Sequence, residues 1–227
     1  MKKLLLVVPF AMFLMQVVAA QQAPLSVDRP AEPNMLFDDD GGKVQIVPAD
    51  LAPAAPKTFH GGAVMSSVQQ VSIFLGSGWG DAQVRGRQRG LSDMAGSGTA
   101  DLSEVRSRKI KTMRAAPQVD DFSDLSKTTL NDLDIQRRLD QMLKSNAIPV
   151  PNASTVFVVF LAPGTTLSLG GTKAGVDFAA YHNVVHLDAG EVRYVVVPFH
   201  ADAQKHATAA ARAFAEAALN PTGQGWF

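Results

Sequence analysis

The chain contains no cysteine. This excludes disulfides, thiolate metal ligands, a cysteine nucleophile and a lipid-anchoring cysteine behind the leader, so stability must come from an apolar core. Aromatic residues are few, at 7% of the chain. None interleaves "RGRQRG" (Arg85–Gly90), which leaves a nucleic-acid base nothing to stack on there. Other signatures are also absent. "GSGWG" and "AGSGT" lack the Gly-x-Ser-x-Gly elbow of an esterase. "LGGTKAG" (Leu169–Gly175) lacks the spacing and the Gly-Lys-Ser/Thr ending of a phosphate loop, so it reads as a turn. No repeat recurs at a period of 20 to 50 residues, which argues against a solenoid.

The formal net charge is zero, but it is unevenly distributed. Residues 84–114 carry eight lysines and arginines against Asp93, Asp101 and Glu104, whereas Asp28 to Asp50 is net acidic. A basic stretch of this kind suits an anionic surface or polymer, or a solvated loop.

The N-terminus has the pattern of a secretory signal. Lys2 and Lys3 precede an apolar stretch, Leu4–Val18, and Val18-Ala19-Ala20 supplies small residues for cleavage before Gln21. The alternative, an uncleaved anchor, has no positive cluster following the stretch to hold it. Expected organisation is a signal peptide over 1–20, a Pro/Ala/Asp-rich arm or linker over 21–57, and one domain over 58–227. "VQIV" within the arm can form a brief strand.

The domain reads as α/β. "VQQVSIFLG" (Val68–Gly76) is a strand ending in a glycine turn. Residues 82–117 hold too many glycines for one long helix and suit short helical pieces. "TTLNDLDIQRRLDQMLKSNAIP" (Thr128–Pro149) places Leu133, Ile135, Leu139, Met142 and Leu143 on one helical face, with Asn131 or Asp132 as cap. "STVFVVFLAPG" and "EVRYVVVPF" are apolar without alternation, as strands buried on both faces are. "DAQKHATAAARAFAEAALNP" is a helix of about 17 residues, capped by Asp202 and stopped at Asn220-Pro221. The whole predicts a layered domain, a mixed sheet with helices packed on it.

Four blocks, in order, carry a resemblance. "FHGGAVMSSVQQVSIFLGSGW" resembles the opening of the Exordium/phosphate-induced protein family, in its bacterial, zincin-like branch. "VFVVFLAPGTT" with "GVDFAAYHN", then "VRYVVVPF", then "FAEAALNPTGQGWF" resemble the blocks that follow. The resemblance implies a zincin-like layered fold whose last helix corresponds to a metallopeptidase active-site helix. Relatives of that kind read Ser-His-Glu-x-x-Glu-Ala-x-Thr-Asp-Pro there. The histidine binds zinc and the neighbouring glutamate is general base to the zinc-bound water. On that alignment Ala211 stands at the serine, Arg212 at the ligand histidine, Ala213 at the general base and Glu216 at the second glutamate. Asn220-Pro221 and Gly223, Gly225 and Trp226 keep the closing turn.

Arginine offers a cation no lone pair, and alanine accepts no proton. The resemblance therefore implies a secreted or periplasmic pseudo-metallopeptidase with a degenerate motif at Arg212, Ala213 and Glu216, no catalytic residue, no zinc and no other cofactor. It would act as a binding module for an extracellular or envelope partner, not for nucleic acid, and without a membrane span once the signal is removed. The alternatives are an active secreted zinc peptidase with atypical ligands, or a shortened product, since the chain stops at Phe227, just past the Gly-Trp turn.

Remaining candidates are weighed residue by residue. Arg212 and Glu216 are spaced to pair across a helical turn. His60 suits a structural turn. His182 and His186 have helical ligand spacing, but "YHNVVHLDAGEV" reads as loop and turn. His200 and His206 flank the last strand and helix, and His206 lies about 15 Å of helix from Glu216, too far to share an ion. Trp79 and Trp226 either stack on a sugar or seal an edge of the core.

Overall fold

The computed structural model describes residues 35–37, 43–52, 56–96, 100–108, 110–125 and 128–226. The signal expected over 1–20 lies outside them.

The eleven described strands are β1 (Met35–Phe37), β2 (Lys43–Pro48), β3 (Ser67–Leu75), β4 (Thr112–Ala115), β5 (Val119–Asp121), β6 (Thr129–Leu130), β7 (Thr155–Leu161), β8 (Thr166–Leu169), β9 (Thr172–Lys173), β10 (Phe178–Leu187) and β11 (Gly190–Val197). The helices are α1 (Ala82–Arg85), α2 (Gln88–Ser92), α3 (Ala100–Ser107), α4 (Asp132–Lys144) and α5 (Ala203–Leu219). The main sheet has the order β1-β2-β10-β11-β7-β3-β4, with β5 also on β3. Its centre is parallel: β3 pairs with β7, and β7 with β11. The β10–β11 hairpin and β2 extend it antiparallel. This is a mixed α/β architecture with helices against a large mixed sheet.

All seven residues of β7 are buried, because strands flank it and helices cover both faces. Alternation along it divides the core. Val156, Val158 and Phe160 face α5, while Phe157, Val159 and Leu161 join the cluster that holds α4 residues Ile135 and Leu139. Each such fully buried Val, Leu or Phe stabilises by roughly 1.5–3 kcal/mol.

Helix α4 runs as the apolar spacing predicts, with Asn131 as cap: its side chain accepts from Asp134 N–H, and Asp134 returns the bond to Asn131 N–H. One expectation is corrected. Leu133 is only half-buried, while Asp132 is buried, because Tyr181, Tyr194, Asn183 and Gln136 all donate to its carboxylate. Helix α5 begins at Asp202, whose Oδ1 accepts from Gln204 and Lys205 N–H. These bonds hold the Asp202 carboxyl below its usual range. Its buried alanines let the helix lie close to β10, β11 and α3.

Two further differences concern strands. Part of the arm expected over 21–57 belongs to the sheet: β2 pairs with β10 and buries Val44 and Val47. The stretch read as loop, "YHNVVHLDAGEV", is the β10–β11 hairpin, closed by the Leu187–Gly190 pair. Polar His182, Asn183 and His186 disguised its alternation. "LGGTK" is a turn as expected: Gly170 and Gly171, both at positive φ, join β8 to β9. Among the described residues no helix is long and apolar enough to cross a membrane.

Candidate functional site

Helix α5 presents Arg212 and Glu216 toward the segment that leads from β2 into the domain. Glu216 Oε1 lies 2.5 Å from Lys57 Nζ, an ion pair spanning 159 residues of sequence. Arg212 Nη1 donates to the Ala52 carbonyl at 2.6 Å. Burial pushes the Glu216 carboxyl above its usual range; Lys57, and more weakly Arg212, pull it back. Helical spacing suggests Arg212 as the partner of Glu216 but gives no hint of Lys57. Ala213 is fully buried in the core beside Ala210 and Phe214.

His182, on β10, turns to the same face as Val195 and α5, while its neighbours Tyr181 and Asn183 turn to α4 and bond Asp132. Its Nε2 is buried and has no hydrogen-bond partner among the described residues. Burial, then the Lys57 charge, push the imidazole down to about 3. His186 shares that face of the strand but stands roughly 13 Å further along it, so the pair cannot grip one ion. It lies 3.5 Å from Glu191 instead.

His200 accepts the Asp202 N–H through Nδ1. His206 is buried at the start of α5 inside a ring of Trp79, Phe160 and Phe199, with centroids 5.6 to 6.2 Å away. Neither of its nitrogens has a hydrogen-bond partner among the described residues, and burial pushes it down to about 4, with Arg87 and His200 adding to the effect. His60 is exposed, and its N–H bonds the Gly225 carbonyl.

Arg212 is a cation engaged with a carbonyl, Ala213 has no donor, and Glu216 is held by an ammonium group. Among the described residues no three histidines or carboxylates converge on a point that would hold a metal ion.

Beside this network the two ends of the domain interlock. Phe59 forms an isolated bridge with Trp226 and their rings meet at 5.2 Å. A Cβ on Gly62 would lie 2.0 Å from the Gln224 carbonyl oxygen, and one on Gly225 would lie 2.2 Å from that of Leu219, so only glycine permits the approach. Asn220, fully buried, accepts the Gly225 N–H through Oδ1 and fixes the turn. Beyond the junction opens a groove of about 630 Å³ lined by Phe59, Val64, Met65, Ser66, Arg108 and Trp226, among others. The Arg108 guanidinium stands 3.8 Å over the Trp226 ring.

Of the two tryptophans, Trp79 is wholly buried and donates Nε1–H to the Phe160 carbonyl, so it seals the core. Trp226 rims the groove, with one face already under Arg108. Sequence reasoning did not find this groove, because its walls come from three distant segments, residues 59–66, 107–108 and Trp226. The shared signal was a pair of glycine-flanked aromatics, "FHGG" and "GQGWF".

Part of the basic stretch 84–114 is engaged. Arg87 donates to the His200 and Ala201 carbonyls and lies over Phe199; Arg106 donates to Ala95; Arg85 lies over Phe122. These arginines clamp loops, whereas Arg89, Lys111 and Arg114 of the same stretch are exposed. Comparison with protein-family models, with curated proteins and with solved structures finds no match to this chain.

Proposed function

We propose that this chain is a secreted or periplasmic protein of zincin-like build that has given up catalysis and acts as a binding module outside the cell or at its envelope. The export part of the reading rests on Lys2, Lys3, the apolar run behind them and Val18-Ala19-Ala20. The zincin-like part rests on the four-block resemblance, the closing signature above all.

The observation that carries the loss of catalysis is the Lys57–Glu216 ion pair. The surviving acidic residue of the degenerate motif is neutralised by a protein cation, and Arg212, at the ligand-histidine position, is spent on the Ala52 carbonyl. Both side chains hold the arm onto α5. Losing a positioned general base alone costs about 10²–10⁴ in rate, and without a metal ligand at Arg212 the water nucleophile is lost too.

Elemental analysis and a peptide-hydrolysis assay on the purified mature protein test this. Expected are no stoichiometric zinc and no hydrolysis, with Glu216→Ala lowering stability only. Bound zinc with hydrolysis that Glu216→Ala abolishes would establish the active peptidase instead.

A further inference from the structure

Resting on the binding-module reading, we infer that the groove between Phe59, Arg108 and Trp226 takes an amphipathic carboxylate. Its acid head pairs with Arg108, and its aliphatic chain lies along Phe59, Val64 and Met65.

Arg108 defines the head site. A guanidinium carries five N–H donors in a fixed plane. Stacking on Trp226 at 3.8 Å fixes that plane, and Nη2 is bonded to Glu104 at 3.0 Å. No described residue accepts from the other donors of the group, although the side chain lines the groove and is only 24% exposed. Glu104 offsets part of the charge but occupies one nitrogen only. An incoming carboxylate can take the free part of the fork, the geometry to which guanidinium is suited. Ser66 adds a hydroxyl on the same wall.

Apart from Ser66 and Ser107, the rest of the lining is apolar or glycine. Phe59 is 48% exposed, unusual for phenylalanine here, since the other large exposed hydrophobics among the described residues are Val150 and Val176. Val64 and Met65 continue that surface inward. The volume, about 630 Å³, suits a small ligand rather than a water or two.

Other chemistries fit less well. A sugar needs an open aromatic face, and Arg108 covers one on Trp226. A cationic amphiphile meets a guanidinium at the head site. A neutral alcohol leaves the donors without a charged partner.

The tryptophans provide the readout, because Trp79 is sealed in the core and Trp226 borders the groove. The mature chain is titrated with sodium dodecanoate below its micelle concentration, beside dodecanol and dodecyltrimethylammonium, following tryptophan emission. Expected is a saturable change with dodecanoate that weakens as salt rises, is much weaker with the other two, and disappears in Trp226→Phe. Arg108→Gln should weaken binding about 10- to 100-fold, the loss of a charged hydrogen bond, while Arg108→Lys retains more of it. Equal affinity for dodecanol, indifference to Arg108→Gln, or no saturable change would each overturn the assignment. If Arg108→Gln does not fold, the salt and head-group series on the unmodified protein decides alone. A zinc-free, inactive protein that ignores dodecanoate leaves the binding-module reading standing and removes only the ligand class.

Discussion

On the α4 face of the sheet the deepest charge, Asp132, meets four side-chain donors. On the α5 face, His182 Nε2 and both nitrogens of His206 meet no partner among the described residues. The first arrangement fixes register. Tyr181 and Asn183 of β10, Tyr194 of β11 and Gln136 of α4 all converge on one carboxylate, so the helix and hairpin can dock in one way. The second fixes a charge state, since an imidazole without an acceptor in an apolar ring tolerates only its neutral form. The α4 face is therefore sensitive to loss of its anion, and the α5 face to gain of a proton.

Asp132→Ala is the hardest blow to that contrast. It strands two tyrosine hydroxyls in the core and two half-buried amides beside them, and should cost about 3–5 kcal/mol in urea unfolding. A cost below about 1 kcal/mol would mean the network is not what docks α4.

Acid should act through the other face. In the unfolded chain His206 takes up its proton near the ordinary 6.5; in the folded chain only near 4. The unfolded state therefore binds more protons between these values, and stability falls as pH drops from about 6.5 to about 4. The loss is on the order of 3 kcal/mol for this residue. His182, pushed down to about 3, works in the same direction. Melting curves of His206→Phe should show a flatter pH dependence than the parent; an unchanged slope would remove His206 from the account.

Lys57→Met leaves the Glu216 carboxylate without its partner and should cost about 2 kcal/mol, with most of it recovered in the double variant Lys57→Met/Glu216→Leu. Thermal denaturation of Lys57→Met, Glu216→Leu and the double variant measures the coupling, and strict additivity would show the latch contributes nothing. The smallest effect, about 1–2 kcal/mol, is expected from Arg87→Ala, which frees the His200 and Ala201 carbonyls ahead of α5. Hydrogen exchange should then quicken in residues 199–206 while β7 stays protected.

What could be read from sequence follows from where each signal resides. The apolar runs of β7 and β11 are local, and so is the capped, amphipathic α4. Asp132 went unread as a core residue because a carboxylate counts as polar in any pattern; only its four partners, three of them on the β10–β11 hairpin, make burial tolerable. The β10 strand was lost for a similar reason: His182, Asn183 and His186 look like loop until alternate sides of a sheet are assigned. At the candidate site, Arg212, Ala213 and Glu216 could be picked out by resemblance, but Lys57 and Ala52 could not, since no spacing rule links them to α5. The groove was further out of reach, being a property of two glycine turns that meet in space.

That meeting has a consequence for where the molecule tolerates change. The cleft hangs on Gly62 and Gly225, where an added methyl would strike backbone, while the central strands lie elsewhere. A substitution at either hinge would reshape the cleft and leave the sheet standing, so the two can be altered separately.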